Sequence, residues 1–362
     1  MTMMIEAPDD VAHDPEAAAR AAGLRYTHLD RPGITREPAK QGWRYRGADG
    51  KVLRDRKPIA RIDALVIPPA WTEVWINTDP RGHIQATGRD ARGRKQYRYH
   101  HRWRAIRDEA KFARLAAFGR ALPTIRERVA EDLRKTGFPK EKVEATVVRL
   151  LDASLIRIGN EEYARENASF GLTTLQNEHV DVEGGTLRFH FRGKSGKEHE
   201  VDVKDRRVAS IVRKLQDLPG QHLFQYRDDE GELRPITSDS VNEYLQSVTG
   251  EPFTAKDFRT WAGTVLTCQL LRSASPAGTE RERNANIIAA IDAAAARLGN
   301  TRAVCRSSYI YPSILQRYAD GTWPDPEEDA RAIAQIPLLD ECECLLLAYL
   351  EAEAAASPAA AS

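Results

Sequence analysis

The sequence predicts an α+β protein, with a small β-rich N-terminal domain ahead of a larger, mainly α-helical domain that carries a three-stranded antiparallel sheet. Three observations predict it. From Leu24 to Trp103, short β-branched and aromatic runs alternate with Gly, Pro and Asp turn signals. From about Ala105, apolar residues recur at three- and four-residue steps. Between His179 and Val203 that helical pattern gives way to period-two alternation broken by two Gly-containing turns. The expected boundaries are a disordered acidic and Ala-rich leader over 1–19, the β-rich domain over 20–104, the helical domain over 105–352 and a low-complexity tail over 353–362.

A chain of 362 residues is long enough for two cores. No apolar run approaches the roughly 20 residues that span a bilayer, and Met1 to Asp14 is acidic, unlike a secretory signal. Cys268, Cys305, Cys342 and Cys344 suggest no disulfide framework. Cys342-x-Cys344 lacks a second pair and a nearby His, so it reads as core thiols and not as a metal site. A reduced, cytoplasmic protein follows. The net charge of +1 hides an asymmetry: Arg20 to Lys140 holds 29 Lys and Arg against 13 Asp and Glu. A basic third on a near-neutral chain points to a polyanion partner, although a solvated basic surface would give the same count.

In the N-terminal domain, strands are expected at Trp43–Arg46, Val66–Pro69, Glu73–Asn77 and His83–Thr87. The richest local signal follows, from Gly88 to Arg104. There Arg89, Arg92, Arg94, Lys95 and Arg98 are interleaved with Gln96, Tyr97 and Tyr99. Cations neutralise phosphates, an amide bonds a base edge, and phenols pack on sugar or base. The plain alternative is an exposed basic hairpin that touches nothing.

Helices are expected over Ile106–Leu115 and Leu122–Leu133, and then over a longer stretch in which Val143, Val147, Leu150, Leu151, Leu155 and Ile158 line one face. Arg157 would sit on the last turn of that helix, where a carboxylate such as Glu161 or Glu162 is its ordinary partner. The three strands come next, with Lys194 at the second turn. A Lys on a hairpin tip is usually a solvated edge charge, and is also a mobile ammonium that can reach a substrate. Asp205–Leu215 reads as a helix, Leu223–Phe224 as a short strand and Ser238–Ser247 as another helix.

Thr254, with Asp257 three residues on, caps the next helix, which turns Phe258, Trp261, Val265 and Cys268 or Gln269 to the core. Lys256 and Arg259 are expected to project together near its start. Two cations at a helix N-terminus oppose the macrodipole, and a bound anion would relieve that conflict. Ile287–Leu298 is an Ala-rich helix ending at Gly299-Asn300, where Asn300 reads first as a cap. Ser307 to Pro312 follows, with Tyr309 and Tyr311 either reactive or merely packed. An apolar helix from about Ile333 to Leu350 is expected to dock on the domain through Leu338, Leu339 and Leu345 to Leu347.

Several of these segments coincide with one family. Ile156-Arg157-Ile-Gly-Asn-Glu-Glu-Tyr163, Ser169-Phe-Gly-Leu-Thr-Thr-Leu175, Phe191-Arg-Gly-Lys194-Ser, Thr254-Ala-Lys256-Asp-Phe-Arg259-Thr-Trp261 and Ser308-Tyr309-Ile-Tyr311-Pro312 resemble the type IB DNA topoisomerases, in particular the bacterial, poxvirus-like branch. Gly88 to Tyr97 looks like that branch's N-terminal DNA-contact segment. The match runs from about Leu24 to Tyr318.

The resemblance implies a C-shaped clamp with a tyrosine recombinase-like catalytic domain. It also implies action on double-stranded DNA as a monomer, associated with the nucleoid, without metal, nucleotide or other cofactor. It implies Tyr309 as the nucleophile forming a 3′-phosphotyrosyl link, Arg157 and Arg259 as clamps on the non-bridging oxygens, and Lys194 as general acid to the 5′-oxygen. Lys256 stands where the sister tyrosine recombinases have the His of His-x-x-Arg. Asn300 stands where many relatives have His and can position but not titrate. Tyr311 stands where bacterial relatives often have His, which leaves a second phenol beside the first. The alternatives are a tyrosine recombinase, against which Lys256, Asn300 and the β-rich N-terminal domain argue, and a non-catalytic DNA-binding protein of the same fold.

Overall fold

The computed structural model describes residues 15–103, 112, 114–322 and 335–356. The chain divides into two compact units, residues 1–113 and 114–362.

The N-terminal unit is built on a five-stranded antiparallel sheet. Its strands are β1 (Ile34–Pro38), β2 (Trp43–Arg46), β3 (Thr72–Ile76), β4 (Ile84–Arg89) and β5 (Lys95–Tyr99), in the order β2-β1-β3-β4-β5. Helix α2 (Arg56–Ala64) is capped by the Asp55 carboxylate. It sets Ile62 against Ile34, Tyr45, Val74, Ile76 and Ala86, which form the unit's core. The strand expected at Val66–Pro69 is absent. Val66 has φ +48°, and Pro68 and Pro69 have no N–H for a ladder. The carbonyls of Ile67, Pro68 and Trp71 instead accept from the Arg36 guanidinium at 3.3, 3.0 and 2.6 Å.

The expected leader is also corrected over residues 15–19; residues 1–14 lie outside the described residues. Pro15–Ala21 forms helix α1, and Ala18 and Ala19 are fully buried with Ala22, Leu24 and Trp103. Small side chains let that helix approach the indole closely, and burial outweighs the local preference for disorder.

The C-terminal unit is mainly helical. It contains α3 (Leu115–Asp132), α4 (Lys140–Ser154), α5 (Glu161–Asn167), α6 (Arg206–Gln216), α7 (Ser238–Thr249), α8 (Ala255–Arg272), α9 (Glu280–Arg297), α10 (Arg302–Ser308), α11 (Pro312–Asp320) and α12 (Glu341–Ala356). The antiparallel sheet β6 (Val180–Glu183), β7 (Thr186–Arg192) and β8 (Glu198–Lys204) lies between α5 and α6 in the chain, as expected. The short strand expected at Leu223–Phe224 falls instead at β9 (Gln225–Arg227), paired with β10 (Leu233–Pro235).

The helix expected at Leu122–Leu133 begins earlier, at Leu115, and keeps Pro123 inside it. Gly119 allows this helix to meet α8, since a Cβ there would lie 2.4 Å from the Trp261 ring. Most of the helix expected at Ile106–Leu115 falls outside the described residues.

Two helix ends differ from expectation, each for a local reason. Helix α4 stops at Ser154, short of Ile158. The Ser154 hydroxyl bonds back to the Leu150 carbonyl and accepts from the Ile156 N–H, and Leu155 takes the left-handed conformation, φ +58°. Arg157 therefore lies beyond the helix. Helix α12 begins at Glu341, after non-helical residues 335–340; the expected start at Ile333 lies outside the described residues. Asp340 and Glu343 cap reciprocally, through Glu343 N–H to Asp340 Oδ1 (2.8 Å) and Asp340 N–H to Glu343 Oε2 (3.0 Å). Leu338, expected to dock, is 54% exposed. Leu345, Leu346 and Leu347 are buried as expected. The helix runs to Ala356, past the expected start of the tail, and Glu353 accepts from the Ser313 and Tyr349 hydroxyls.

Candidate active site

Helix α8 supplies the centre of the site. The Asp257 carboxylate accepts from the Thr254 N–H (2.7 Å) and hydroxyl (2.9 Å), which fixes the helix start. Lys256, on the first turn, is exposed, whereas Arg259 is buried at 4% exposure. The expectation that the two project together is thus corrected. The Arg259 guanidinium donates to the carbonyls of Leu155 and Leu298, the latter at 2.8 Å. Those residues cap the ends of α4 and α9, so two helix C-termini receive the buried cation. Burial still pulls the Arg259 pKa below its ordinary value.

Arg157 follows the end of α4 in a strap tied down by Leu172 N–H to the Arg157 carbonyl, 2.8 Å, and Thr173 N–H to the Ile158 carbonyl, 2.7 Å. Its guanidinium donates to Asn300 Oδ1. Asn300 follows Gly299, whose φ of +61° closes α9. Asn300 Nδ2 and Arg259 Nε are buried donors with no acceptor among the described residues. Such groups are costly unless something accepts from them.

Tyr309 caps the C-terminal end of α10, its N–H bonded to the Cys305 carbonyl at 2.9 Å. Its backbone lies against Gly263, where a Cβ would come within 2.6 Å of the Tyr309 carbonyl. The Tyr309 ring centroid is 5.1 Å from Arg259 Cζ. Burial alone would raise this phenol. The charge and hydrogen bond of Arg259, with the charges of Arg157 and Lys256, outweigh burial and hold it below the ordinary tyrosine value.

Tyr311 has the opposite surroundings. Burial, then the charge of Glu353 and a hydrogen bond to it, push its phenol up to about 12. The two phenols, two residues apart in sequence, are separated electrostatically.

Lys194 stands exposed in the turn between β7 and β8, without a carboxylate in ion-pair range among the described residues. It lines a small cavity with Arg157, Arg259 and His199. A larger cavity of about 620 Å³, lined by Ile125, Val148 and Phe258 among others, holds none of these four side chains. His199 was missed by sequence reasoning, which assigned it only to a strand.

The basic segment predicted to contact nucleic acid falls on β4, β5 and the turn between them. Lys95, Tyr97 and Tyr99 share the exposed face of β5. Gln96 and Arg98 face the other way. The Gln96 amide donates to Asp90 at 3.0 Å, and Arg98 donates to the Val66 carbonyl at 2.9 Å. Arg94 pairs with Asp90 and Arg89 with Glu73. Arg92, in the turn, is exposed.

The family described as the catalytic core of eukaryotic DNA topoisomerase I matches residues 100–323. The N-terminal domain of bacterial DNA topoisomerase IB matches residues 42–90. DNA topoisomerase 1B of Acanthamoeba polyphaga mimivirus is 33% identical over 293 residues, covering 79% of this chain and 87% of the viral protein. The chain belongs to the type IB DNA topoisomerase family. DNA topoisomerase 1B of vaccinia virus is 23% identical over 274 residues, covering 74% of this chain and 81% of its own length. DNA topoisomerase 1 of Schizosaccharomyces pombe is 24% identical over 210 residues, only 23% of its length. Within this type IB topoisomerase, one unit carries the Tyr309 cluster and the other the basic strand β5. Among the described residues, no helix is long and apolar enough to cross a membrane.

Proposed function

We propose that this topoisomerase relaxes supercoiled duplex DNA by a transient nick made with Tyr309. The observation that carries the assignment is the contrast between the two phenols: Tyr309 lies among Arg259, Arg157 and Lys256, and Tyr311 lies against Glu353. A nucleophilic phenol needs its anion stabilised, and only one of the two has that surrounding.

In this reading Tyr309 gives its phenol proton to solvent, and Oη then bonds to phosphorus as the P–O5′ bond breaks, leaving a 3′-phosphotyrosyl link. The leaving 5′-oxygen takes a proton from Lys194. Arg157 and Arg259 hold the non-bridging oxygens. Asn300 Nδ2 and Arg259 Nε, the buried donors without acceptors, add hydrogen bonds as charge builds on the phosphorane. Lys256 supports the phenolate by charge. One phosphodiester is exchanged for another, so strand rotation and resealing by the reverse step call for neither ATP nor metal. The exposed face of β5, with Lys95, Tyr97 and Tyr99, contacts the duplex backbone, and Arg89, Arg92 and Arg94 add positive potential. The two units close around duplex DNA as a C-shaped clamp, and a single copy suffices.

The test is relaxation of supercoiled plasmid in EDTA without ATP, paired with a denaturing gel for covalent adducts. Tyr309→Phe should abolish both while DNA binding remains. An adduct that survives Tyr309→Phe and disappears in Tyr311→Phe would reverse the assignment.

A further inference from the structure

His199 fills a slot between two glycines that flank site residues. It lies on β8 opposite Phe191 of β7, with the rings nearly parallel at 9° and centroids 5.1 Å apart. A Cβ on Gly193, the residue before Lys194, would lie 2.5 Å from His199 Cδ2 and 2.6 Å from Nε2. A Cβ on Gly299, the residue before Asn300, would lie 2.6 Å from His199 Cε1. The imidazole therefore touches both the base of the Lys194 turn and the turn that ends α9, at distances only glycine permits. No hydrogen bond to its ring nitrogens is formed among the described residues, so the contact is one of shape.

The hairpin tip needs such a contact. Gly193 N–H bonds the Lys197 carbonyl at 2.7 Å, and Gly196 N–H bonds the Gly193 carbonyl at 3.0 Å, so the turn is closed upon itself. Lys194 itself is exposed with no ion-pair partner among the described residues.

We propose that His199 is a positioning residue for Lys194, docking the β7–β8 hairpin tip onto the Gly299–Asn300 turn. The proposal rests on the reading of Lys194 as proton donor to the leaving oxygen. The charged groups around the ring are Arg157 and Arg259 from the helical side and Lys197 and Glu198 from its own hairpin. Burial first, then Arg157, Arg259 and Lys197, keep the imidazole neutral. A neutral ring adds no further repulsion to the tip that carries Lys194.

The experiment compares single-turnover cleavage of two DNA substrates, one with the normal 5′-oxygen and one with sulfur bridging phosphorus and the 5′-carbon. A thiolate leaves without a proton, so the sulfur substrate bypasses the general acid. His199→Ala should cut the oxygen substrate about 10²-fold more slowly, the order expected when a catalytic group is misplaced by about an ångström. It should cut the sulfur substrate at nearly the wild-type rate. Adding His199→Ala to Lys194→Ala should slow the oxygen substrate no further than Lys194→Ala alone. Equal slowing on both substrates, or multiplication of the two defects, would overturn the proposal. If Lys194→Ala is itself not rescued by sulfur, the proton-donor reading fails and the positioning proposal falls with it. Should His199→Ala not fold, His199→Gln carries the same comparison with a planar group of similar reach.

Discussion

The Arg259 guanidinium carbon lies 5.1 Å from the centre of the Tyr309 ring while the same guanidinium bonds the carbonyls of Leu155 and Leu298. One side chain thus fixes two helix ends and sets the electrostatics of the phenol. In Arg259→Gln, burial acts on Tyr309 against only the charges of Arg157 and Lys256, and its pKa rises. The tyrosinate fraction in wild type grows with pH up to a value below the ordinary tyrosine range, and in the variant that rise moves to higher pH. Cleavage at neutral pH should fall by about 10²–10³, the usual cost of removing one transition-state donor. Single-turnover rates across alkaline pH measure both effects, and an unshifted profile would contradict the charge argument.

Tyr311 should be dispensable for chemistry but tied to stability. Glu353 accepts from the Ser313 and Tyr349 hydroxyls and pairs with Arg317 at 3.3 Å, fastening α12 to α11. Tyr311→Phe should retain relaxation. Glu353→Ala should destabilise the C-terminal unit by about 1–3 kcal/mol, the cost of removing an acceptor these donors share, although the Ser313 and Tyr349 hydroxyls keep their mutual bond at 2.7 Å. Denaturant unfolding of both variants beside plasmid relaxation separates the two effects.

Two buried carboxyls should pull stability in opposite directions with pH. Burial raises Glu144 to about 7, only partly offset by Lys140 at 3.6 Å. The folded state holds that proton more tightly than the unfolded chain, so stability falls as pH rises from the ordinary glutamate value to about 7. Glu144→Gln should remove that loss, on the order of 3 kcal/mol at pH 8. Glu343 is the reverse case. Burial would raise it, but Arg126 and the Asp340 and Trp261 N–H groups lower it. Its contribution is present above the ordinary glutamate range and lost as pH falls through its depressed value. Glu343→Ala, which leaves Arg126 with the Asp152 carboxylate and the Leu338 carbonyl, should cost about 3–5 kcal/mol at neutral pH. Stability curves at several pH values for the two variants should slope oppositely relative to wild type.

The sequence carried the local devices of this fold and missed those that depend on distant partners. The Thr254–Asp257 cap, the β7–β8 hairpin with Lys194 at its turn, and the Gly299 ending of α9 are short-range, and each was legible. The end of α4 was not, because apolar periodicity continues through Leu155 while a left-handed Leu ends the helix. Arg259 read as projecting beside Lys256 at the helix start, three residues on. Two carbonyls from helices more than 35 residues away draw it inward. His199 looked like one position in a strand, since the glycines that frame it meet only in the folded chain. Pro15 to Ala19 read as part of a disordered leader because the indole of Trp103, which Ala18 and Ala19 pack against, lies over 80 residues on.

The N-terminal surface yields a prediction that distinguishes neighbouring residues on one strand. Lys95 lies on the exposed face of β5 with Tyr97, its ammonium 5.8 Å from the Tyr97 ring centroid. Gln96 donates to Asp90, which also holds Arg94. If the exposed face meets the duplex backbone, Lys95→Ala should weaken binding to any sequence alike and reduce the slope of log affinity against log salt by about 1. Tyr97→Ala should weaken binding with little change in that slope, because a packed phenol releases no counterion. Gln96→Ala should leave affinity nearly unchanged, since its amide is already engaged with Asp90. Salt titrations of DNA binding with the three variants test the face assignment. A large loss in Gln96→Ala beside none in Lys95→Ala would place the duplex against the opposite face of β5.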